Sequence, residues 1–572
     1  MHNRCSNTYT LIIEDRERNG SAISMHKGHG GTYILIIKDK GGDRERDESV
    51  ISVHNGCSST YILIVKDKGR DRGRDVSAIS VHNGGSSTYI LIIENREGNG
   101  SVISVHNRHG GTYKLIVENK EKDGSAISMY NRHSSAYTLI VKDRGMGQKE
   151  DRSAISMHDR HGSTYILIIE DRERDGSAIS VHDGHGGTYI LIVSRDRSAI
   201  SVHNRHTGTY MLIVQHRGRD RSVISVHNRC GGTYTLIIED RGRDGSAISV
   251  HDGCDSTYLL IVEDRGRDAS AISMHNRHGG TYTLIVKDRG RDGSAISMHN
   301  EHGGTYTLIV EDRGRDVMSA ISMHVRHSST YTLIVKNRER DGSAISVHNR
   351  RSSTYTLIIK DRGRDVSAIS VLNGHGGTYS LIIKDKGRDA SAISMHNGHS
   401  STYILIVKDR GSNGSAISVH DRRSSTYILI VKDRERDASA ISVHNGHDST
   451  YILIIKNKEG NGSAFSMHNR HGGTYILIVE DRERDGSVIS VHKGHSGTYI
   501  LIIKDRGRDG SVISMHNRHG GTYTLIIEDR GRDGSVISMH NRRGSTYLLI
   551  IKDRGRMGQQ SACTGDTVAL TS

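Results

Sequence analysis

The sequence contains no proline and no tryptophan, and Phe465 is its single phenylalanine. At ordinary usage a chain of 572 residues would carry roughly 29 prolines. Their complete absence indicates that the sequence was copied from a short template and not assembled from independent domains. No stretch approaches the ~18 apolar residues of a membrane span, and the opening residues MHNRCSNTYT lack the apolar segment of a signal peptide. We therefore expect neither a transmembrane protein nor a collagen.

Cysteine is also scarce, with five residues in the whole chain: Cys5, Cys57, Cys230, Cys254 and Cys563. No C-x-x-C spacing occurs, which excludes a zinc ribbon and a C-x-x-C redox motif. A disulfide-stabilised scaffold would need a much higher density of cysteine.

Charges of both signs are abundant, with 79 lysines and arginines against 65 aspartates and glutamates, a net charge of +14. The arginines alternate with aspartates, as in the segment DRGRD at Asp529–Asp533, so the charge is balanced locally. This pattern is typical of a solvated turn, and we expect no nucleic-acid partner.

A repeat of 24 residues organises the chain, and Ser270–Gly293 is a representative copy. Residues 1–20 form a partial copy, residues 21–558 form 22 tandem copies, and residues 559–572 form a non-repeat tail that we expect to be disordered. Because residue 1 falls in the middle of a copy, the sequence is consistent with a fragment of a longer array or with an open reading frame in tandemly repeated DNA.

Copies differ in length only in or beside the DRGRD segment, for example at Gly69–Val76. Insertions are tolerated where the backbone lies on the surface, so this segment is predicted to be an exposed turn. The second turn, HNRHGG, never changes length and is predicted to be the tighter one.

Two β-strands are predicted between these turns. In the first, Ile272 and Met274 share one face, and in the second, Tyr282, Leu284 and Val286 share one face. Alternation with period two, β-branched residues and glycine-rich boundaries are typical of strands. The alternation places the invariant isoleucine, such as Ile285, on the outside, where it either meets a second layer or forms an exposed apolar stripe.

A unit of 24 residues cannot bury its apolar face alone, so the copies must stack. We predict an all-β fold in which each copy is one coil of an elongated β-solenoid, with equal strands stacked in parallel and in register. An antiparallel β-hairpin meander, or a propeller-like array of hairpins, is the alternative. The near-identity of the copies favours the solenoid, because stacking in register forms ladders of tyrosine, leucine and isoleucine.

Two histidine positions, represented by His275 and His278, hold histidine in 21 and 15 of the 23 copies. Stacking would align them in two imidazole columns, and imidazole is a common ligand of zinc, copper and nickel. The second position is replaced by Gly85, Arg351, Arg423, Arg543 and four of the five cysteines, all but Cys563. A required ligand set would not vary in this way, and we assign no metal ligand.

Every copy offers the same serines, histidines and aspartates, whereas a nucleophile needs one distinctive environment. The sequence has no Walker A, G-x-G-x-x-G or H-E-x-x-H motif. We therefore expect no enzyme and assign no catalytic residue, no cofactor and no small-molecule substrate.

Thr281 and Thr283 flank an inward Tyr282, so both hydroxyls are expected to point outward. Stacking would repeat them every ~4.8 Å. Such threonine arrays on flat β-solenoids resemble the ice-binding surfaces of some antifreeze proteins. The resemblance covers only this three-residue segment.

The sequence thus predicts a non-enzymatic structural repeat protein, such as a scaffold, fibre or surface-display array, that self-associates through open β-edges. The alternative is a repetitive surface that binds a metal through its histidine columns, ice through its threonine arrays, or a carbohydrate. The sequence does not identify a compartment.

Overall fold

The structure, a computed structural model, is all-β. It describes residues 2–571 except for these gaps: 4–7, 16–21, 28–29, 40–47, 57–58, 68–75, 96–100, 120–124, 134, 144–152, 172–176, 196–197, 217–221, 242–245, 267–269, 290–293, 314–319, 328, 338–343, 352, 362–367, 386–391, 400, 409–415, 424, 434–439, 448, 458–463, 482–486, 496, 507–510, 531–535, 543, 554–559 and 565–567. The DRGRD segments, including most of residues 69–76, lie largely within these gaps. The described residues contain no helix, and so none that could cross a membrane.

The described strands are β1 (His2–Asn3), β2 (Thr8–Asp15), β3 (Ala22–Lys27), β4 (Thr32–Asp39), β5 (Glu48–Asn55), β6 (Thr60–Asp67), β7 (Val76–Asn83), β8 (Ser87–Asn95), β9 (Ser101–Asn107), β10 (Gly111–Asn119), β11 (Ala126–Asn131), β12 (Ala136–Asp143), β13 (Ser153–Asp159), β14 (Thr164–Asp171), β15 (Ser177–Asp183), β16 (Thr188–Arg195), β17 (Ser198–Asn204), β18 (Thr209–His216), β19 (Val223–Asn228), β20 (Thr233–Asp240), β21 (Ala247–Asp252), β22 (Ser256–Asp264), β23 (Ala271–Asn276), β24 (Gly280–Asp288), β25 (Ala295–Asn300), β26 (Thr305–Asp312), β27 (Ala320–Val325), β28 (Thr330–Asn337), β29 (Ala344–Asn349), β30 (Ser353–Asp361), β31 (Ala368–Asn373), β32 (Gly377–Asp385), β33 (Ala392–Asn397), β34 (Ser401–Lys408), β35 (Ala416–Asp421), β36 (Thr426–Asp433), β37 (Ala440–Asn445), β38 (Ser449–Asn457), β39 (Ala464–Asn469), β40 (Gly473–Asp481), β41 (Val488–Lys493), β42 (Thr498–Asp505), β43 (Val512–Asn517), β44 (Thr522–Asp529), β45 (Val536–Asn541), β46 (Thr546–Asp553), β47 (Gln560–Thr564) and β48 (Val568–Thr571).

Each copy contributes one odd-numbered and one even-numbered strand, and strands pair only with strands of the same parity in neighbouring copies. All described pairs are parallel and in register, so that Tyr234 lies beside Tyr258 and Leu236 beside Leu260. The odd strands form sheet A and the even strands form sheet B. This pairing confirms the β-solenoid and does not agree with the antiparallel meander.

The chain divides into two compact units, residues 1–285 and residues 286–572. Within unit 1, each copy adds one strand to sheet A and one to sheet B. The same holds within unit 2. Each unit is by itself a solenoid of stacked two-strand coils.

The core lies between the two sheets and follows the predicted alternation. Ile272 and Met274 of sheet A are 2% and 4% exposed, and Tyr282 and Leu284 of sheet B are 2% and 1% exposed. Burial of these side chains is the main stabilising contribution, at about 25 cal/mol for each Å² of apolar surface removed from water. The invariant isoleucines, such as Ile261, remain partly exposed on the outer face of sheet B.

Described residues of the C-terminal tail extend both sheets. Its strands β47 and β48 pair in parallel with β45 and β46, although the tail does not share the repeat sequence. Backbone hydrogen bonding to the preceding coil does not depend on side-chain identity, which is why a non-repeat segment can extend both sheets.

Candidate functional site

The first histidine position of the repeat lies on the outer face of sheet A, where the rings stack in columns. The ring centroids of His203 and His227 are 4.9 Å apart, and those of His227 and His251 are 4.8 Å apart, with planes within 3° of parallel. The hydroxyl of the serine two residues earlier lies within hydrogen-bond distance of most of these rings, as where Ser225 Oγ lies 3.0 Å from His227 Nε2. The structure therefore confirms a column at this position.

Burial and the neighbouring rings lower the pKa of several histidines in this column, which makes their protonation unfavourable. Partial burial lowers the pKa of His251, and the neighbouring imidazoles of His227 and His275 lower this pKa further. The pKa of His444 is lowered in the same way by burial and by His420 and His468. A charge on one ring would lie about 5 Å from its neighbour, so the column favours neutral imidazole.

The second histidine position forms shorter columns on the exposed tight turn. His161 stacks on His185 at 5.2 Å, and His185 on His206 at 4.4 Å. The nitrogen lone pairs of an imidazole lie in the plane of its ring, so parallel stacked rings do not converge on one ion. Among the described residues, no group of three or more histidines, cysteines, aspartates or glutamates is arranged to hold a metal ion.

A ladder of buried polar side chains follows the apolar core on the side of the tight turn. Its members are the last inward residues of sheet A, such as Asn228 and Asn204, which are 5% and 3% exposed. The side-chain amide of Asn228 donates to Asp252 Oδ1 of the next coil at 3.0 Å. Each coil thus joins the next through side chains as well as through the backbone.

Many asparagines and aspartates of the ladder make a second hydrogen bond to the following copy. The partner in this bond depends on the residue two positions before the core tyrosine of that copy. Where that residue is serine, the serine hydroxyl is the partner, in the pairs Asn55–Ser87, Asn107–Ser135, Asn131–Ser163, Asn228–Ser256, Asn300–Ser329, Asn373–Ser401, Asn397–Ser425, Asp421–Ser449 and Asn517–Ser545. Where it is glycine, the tyrosine hydroxyl is the partner, in the pairs Asn83–Tyr113, Asp159–Tyr189, Asp183–Tyr210, Asn204–Tyr234, Asp252–Tyr282, Asn349–Tyr379, Asn445–Tyr475 and Asn469–Tyr499.

Steric exclusion explains this exchange of partners. A Cβ atom added to Gly232 would lie 2.9 Å from Cε2 of Tyr234, because the ring closes over the glycine. A serine at this position displaces the ring and supplies its own hydroxyl to the ladder. In ten copies with serine the buried tyrosine hydroxyl has no well-formed hydrogen bond to a described residue: Tyr61, Tyr89, Tyr137, Tyr165, Tyr258, Tyr331, Tyr355, Tyr403, Tyr427 and Tyr451.

Aspartate replaces asparagine in four described coils, and two of these coils are adjacent. Burial raises the pKa of Asp159 to about 7 and that of Asp183 to about 6. The hydroxyl of Tyr210 donates to Asp183 Oδ2 at 2.8 Å and so partly offsets this rise. The two carboxyls belong to the ladder and are closed to solvent, at 5% and 2% exposure.

The outer face of sheet B carries four parallel columns. The first is threonine in every copy except at Ala136, and the second varies among isoleucine, threonine and other residues. The third is the invariant isoleucine, and the fourth is lysine or glutamate in every copy except at Ser194 and Gln215. Thr281 is exposed and Thr283 partly exposed, as predicted.

The two described cysteines of neighbouring coils, Cys230 and Cys254, are both free thiols on the tight turn. Burial and the adjacent Cys230 raise the pKa of Cys254. Cys5 and Cys57, and most of the arginine-rich segments, lie outside the described residues.

Sequence reasoning missed the polar ladder. Its signal is present, because Asn276 has the same parity in its strand as Ile272 and Met274, and alternation alone would have placed it inward. No family model, no curated protein and no solved structure matches this chain.

Proposed function

We propose that this chain is a non-enzymatic structural repeat protein that assembles through the edges of its sheets. The observation that carries the proposal is the parallel, in-register pairing of near-identical coils. A coil bonds to its neighbour through the backbone, the buried ladder and the stacked rings, and these groups repeat with little change from copy to copy.

The energetics of stacking support end-to-end association. A solenoid is stabilised by interfaces between adjacent repeats, and an unpaired strand edge is a template for another chain. A coil of one chain can therefore stack on a coil of another through the same pattern of backbone hydrogen bonds.

Light scattering and electron microscopy over micromolar concentrations test this proposal. We expect particles that lengthen with concentration while their width stays constant. A monodisperse monomer throughout this range would contradict the proposal.

A repetitive ligand-binding surface is the second candidate, and the threonine column of sheet B favours it. Thr402, Thr426 and Thr450 are exposed and aligned in register on consecutive coils. Freezing-point depression beyond the colligative value, lost on substitution of these threonines by valine, would support ice binding. Saturable binding of another ligand in proportion to copy number would support a different occupant.

A further inference from the structure

The charged column of sheet B differs between the two units. In unit 2, six lysines follow one another on consecutive coils with no acidic residue between them: Lys336, Lys360, Lys384, Lys408, Lys432 and Lys456. The corresponding positions from Glu94 to Glu263 in unit 1 hold five glutamates, one lysine, one serine and one glutamine. These stretches of the two units therefore carry opposite net charge on equivalent surfaces.

The lysine column is electrostatically unfavourable in an isolated chain. Like charges directly opposite each other on neighbouring strands are destabilising. The two end lysines have acidic neighbours, since Lys336 Nζ lies 2.6 Å from Glu311 and Lys456 Nζ lies 2.9 Å from Glu480. The four lysines between them have no ion pair with any described residue. An acidic surface laid over the column would remove this repulsion.

An apolar stripe runs beside the lysine column on the same face. Ile358, Ile382, Ile406 and Ile430 are aligned in register and partly exposed. Unit 1 carries the same invariant stripe beside its glutamates, for example at Ile116 and Ile168. Both faces thus combine an apolar stripe with a charged border, which is the composition of a protein interface.

We propose that the outer face of sheet B in unit 2 pairs with the outer face of sheet B in unit 1 of a second copy of this chain. Rotation of one face by half a turn about the strand direction places the two sheets face to face. It preserves the order of the columns, so isoleucine meets isoleucine and the lysine column meets the column that carries the five glutamates. The stacking directions of the paired units are then antiparallel.

The available area suits a stable pair. Six coils at ~4.8 Å per coil and seven residues at ~3.3 Å per residue give a face of roughly 670 Å². Standard interfaces bury about 600–1,000 Å² on each partner. Lateral pairing uses a different surface from end-to-end stacking, and so it does not depend on the function proposed above.

Charge reversal in unit 2 tests the pairing. The triple variant Lys360→Glu, Lys384→Glu, Lys408→Glu uses a residue that the repeat already tolerates at this position, at Glu311, Glu480 and Glu528. We expect lateral pairing, measured by sedimentation velocity and by particle width in electron micrographs, to weaken at least tenfold. Pairing of the unmodified chain should also weaken with added salt.

A control makes the same change in net charge elsewhere. Arg350→Glu, Arg422→Glu, Arg518→Glu alters exposed residues of the tight turn, where another copy carries Glu301. This variant should pair as the unmodified chain does. Particle length reports end-to-end stacking separately, so failure of either proposal is distinguishable from failure of the other.

Mixing identifies the partner surface. A second variant, Glu118→Lys, Glu170→Lys, Glu239→Lys, should also fail to pair with itself, whereas an equimolar mixture of the two triple variants should pair. The proposal would be overturned if the Lys→Glu triple variant paired as the unmodified chain does, or if the mixture of the two triple variants stayed unpaired. It would also be overturned by an unmodified chain that remains unpaired and instead sediments with vesicles containing phosphatidylserine, because the lysine column would then face an anionic membrane.

Discussion

A single residue position, two before the core tyrosine, decides how neighbouring coils are joined. Glycine lets the tyrosine ring close over the backbone and bond to the ladder, whereas serine bonds to the ladder itself. Tyrosines with the same position in the repeat therefore differ in what their hydroxyls contribute to stability.

Removal of the tyrosine hydroxyl should show this difference. Tyr234→Phe leaves the buried amide of Asn204 without its partner at 3.0 Å and should destabilise its coils by about 1 kcal/mol. Tyr403→Phe removes a hydroxyl that has no well-formed bond and should be neutral or slightly stabilising. Hydrogen exchange of peptides spanning each site measures both effects. Equal destabilisation by the two variants would contradict the partner rule.

Lys493 replaces asparagine in the ladder, and two features of its surroundings accommodate it. It is 4% exposed, and its ammonium lies 4.7 Å from the ring centroid of Tyr499 and 5.4 Å from that of Tyr523. The glycines Gly497 and Gly521 leave the space that a serine side chain would occupy, since a Cβ on Gly521 would lie 2.7 Å from Nζ.

Substitution of Lys493 by asparagine should stabilise the chain at neutral pH. Burial lowers the pKa of Lys493 from 10.5 to about 8, so the folded state holds this proton less tightly than the unfolded state. The free-energy cost of burying the charged ammonium is largest below pH 8 and disappears as the pH rises to 10.5. Urea unfolding from pH 7 to 10.5 should therefore show a gain that declines with pH. Lys504→Asn, on the outer face, is the control, and an equal pH dependence there would refute this explanation.

At the scale of the strand, alternation and copy length predicted most of the fold. The inward faces through Ile272 and Leu284, the parallel register and the histidine columns all follow from period two and from near-identical copies. The partner exchange between Ser256 and Tyr234 could not be predicted, because it depends on a steric contact between a ring and a backbone atom. The charge difference between the two units was also not predicted. The sequence contains it, but the lysines form one continuous surface only when the strands stack in register.

The register itself can be tested with Cys230 and Cys254. Their neighbours Thr233 and Thr257 are paired, so the two cysteines occupy equivalent positions on the tight turns of adjacent coils. Equivalent Cα atoms ~4.8 Å apart fall within the roughly 4.4–6.8 Å that a disulfide accepts. Mild oxidation should link them within one chain, as shown by peptide mapping, and Cys254→Ser should abolish the link. Free thiols in folded protein that the oxidant can reach would indicate another register.

The histidine column should make sheet A sensitive to acid. Folded His420, His444 and His492 have pKa values lowered from 6.5 by burial and then by neighbouring rings, so the unfolded state binds more protons. Stability contributed by these groups is therefore complete above pH 6.5 and is lost as the pH falls below it. Leucine occupies the same position at Leu372.

The triple variant His420→Leu, His444→Leu, His492→Leu should lose less stability than the parent between pH 7.5 and 5, measured by urea unfolding. Buried Asp159 and Asp183 act in the opposite direction, because their raised pKa values add stability as the pH falls from 7 toward 3.8. Comparison of variant and parent at each pH cancels this contribution. An identical acid response in both chains would exclude the column as its source.

For the whole molecule, the fold depends on the register of whole copies, because each coil contacts only its neighbours. Deletion of residues 415–438, one complete copy of 24 residues, places the strands before and after it in the same register. We expect far-UV circular dichroism per residue to remain that of a β-protein without helix, with the tyrosines still buried. Deletion of residues 415–426 is the control, because half a copy brings a strand of sheet A beside a strand of sheet B. Equal spectra for the two deletions would argue against stacked coils.

The stacked core tyrosines form a row of identical chromophores. Tyr234 and Tyr258 have ring centroids 4.5 Å apart, and the rings of Tyr165, Tyr189 and Tyr210 continue the row at 4.9 and 4.8 Å. Light absorbed by one ring can pass to the next at such distances, and the sequence contains no tryptophan to intercept it. One tryptophan introduced into the row would collect the emission of many tyrosines, so its fluorescence would report how many coils are stacked without a break.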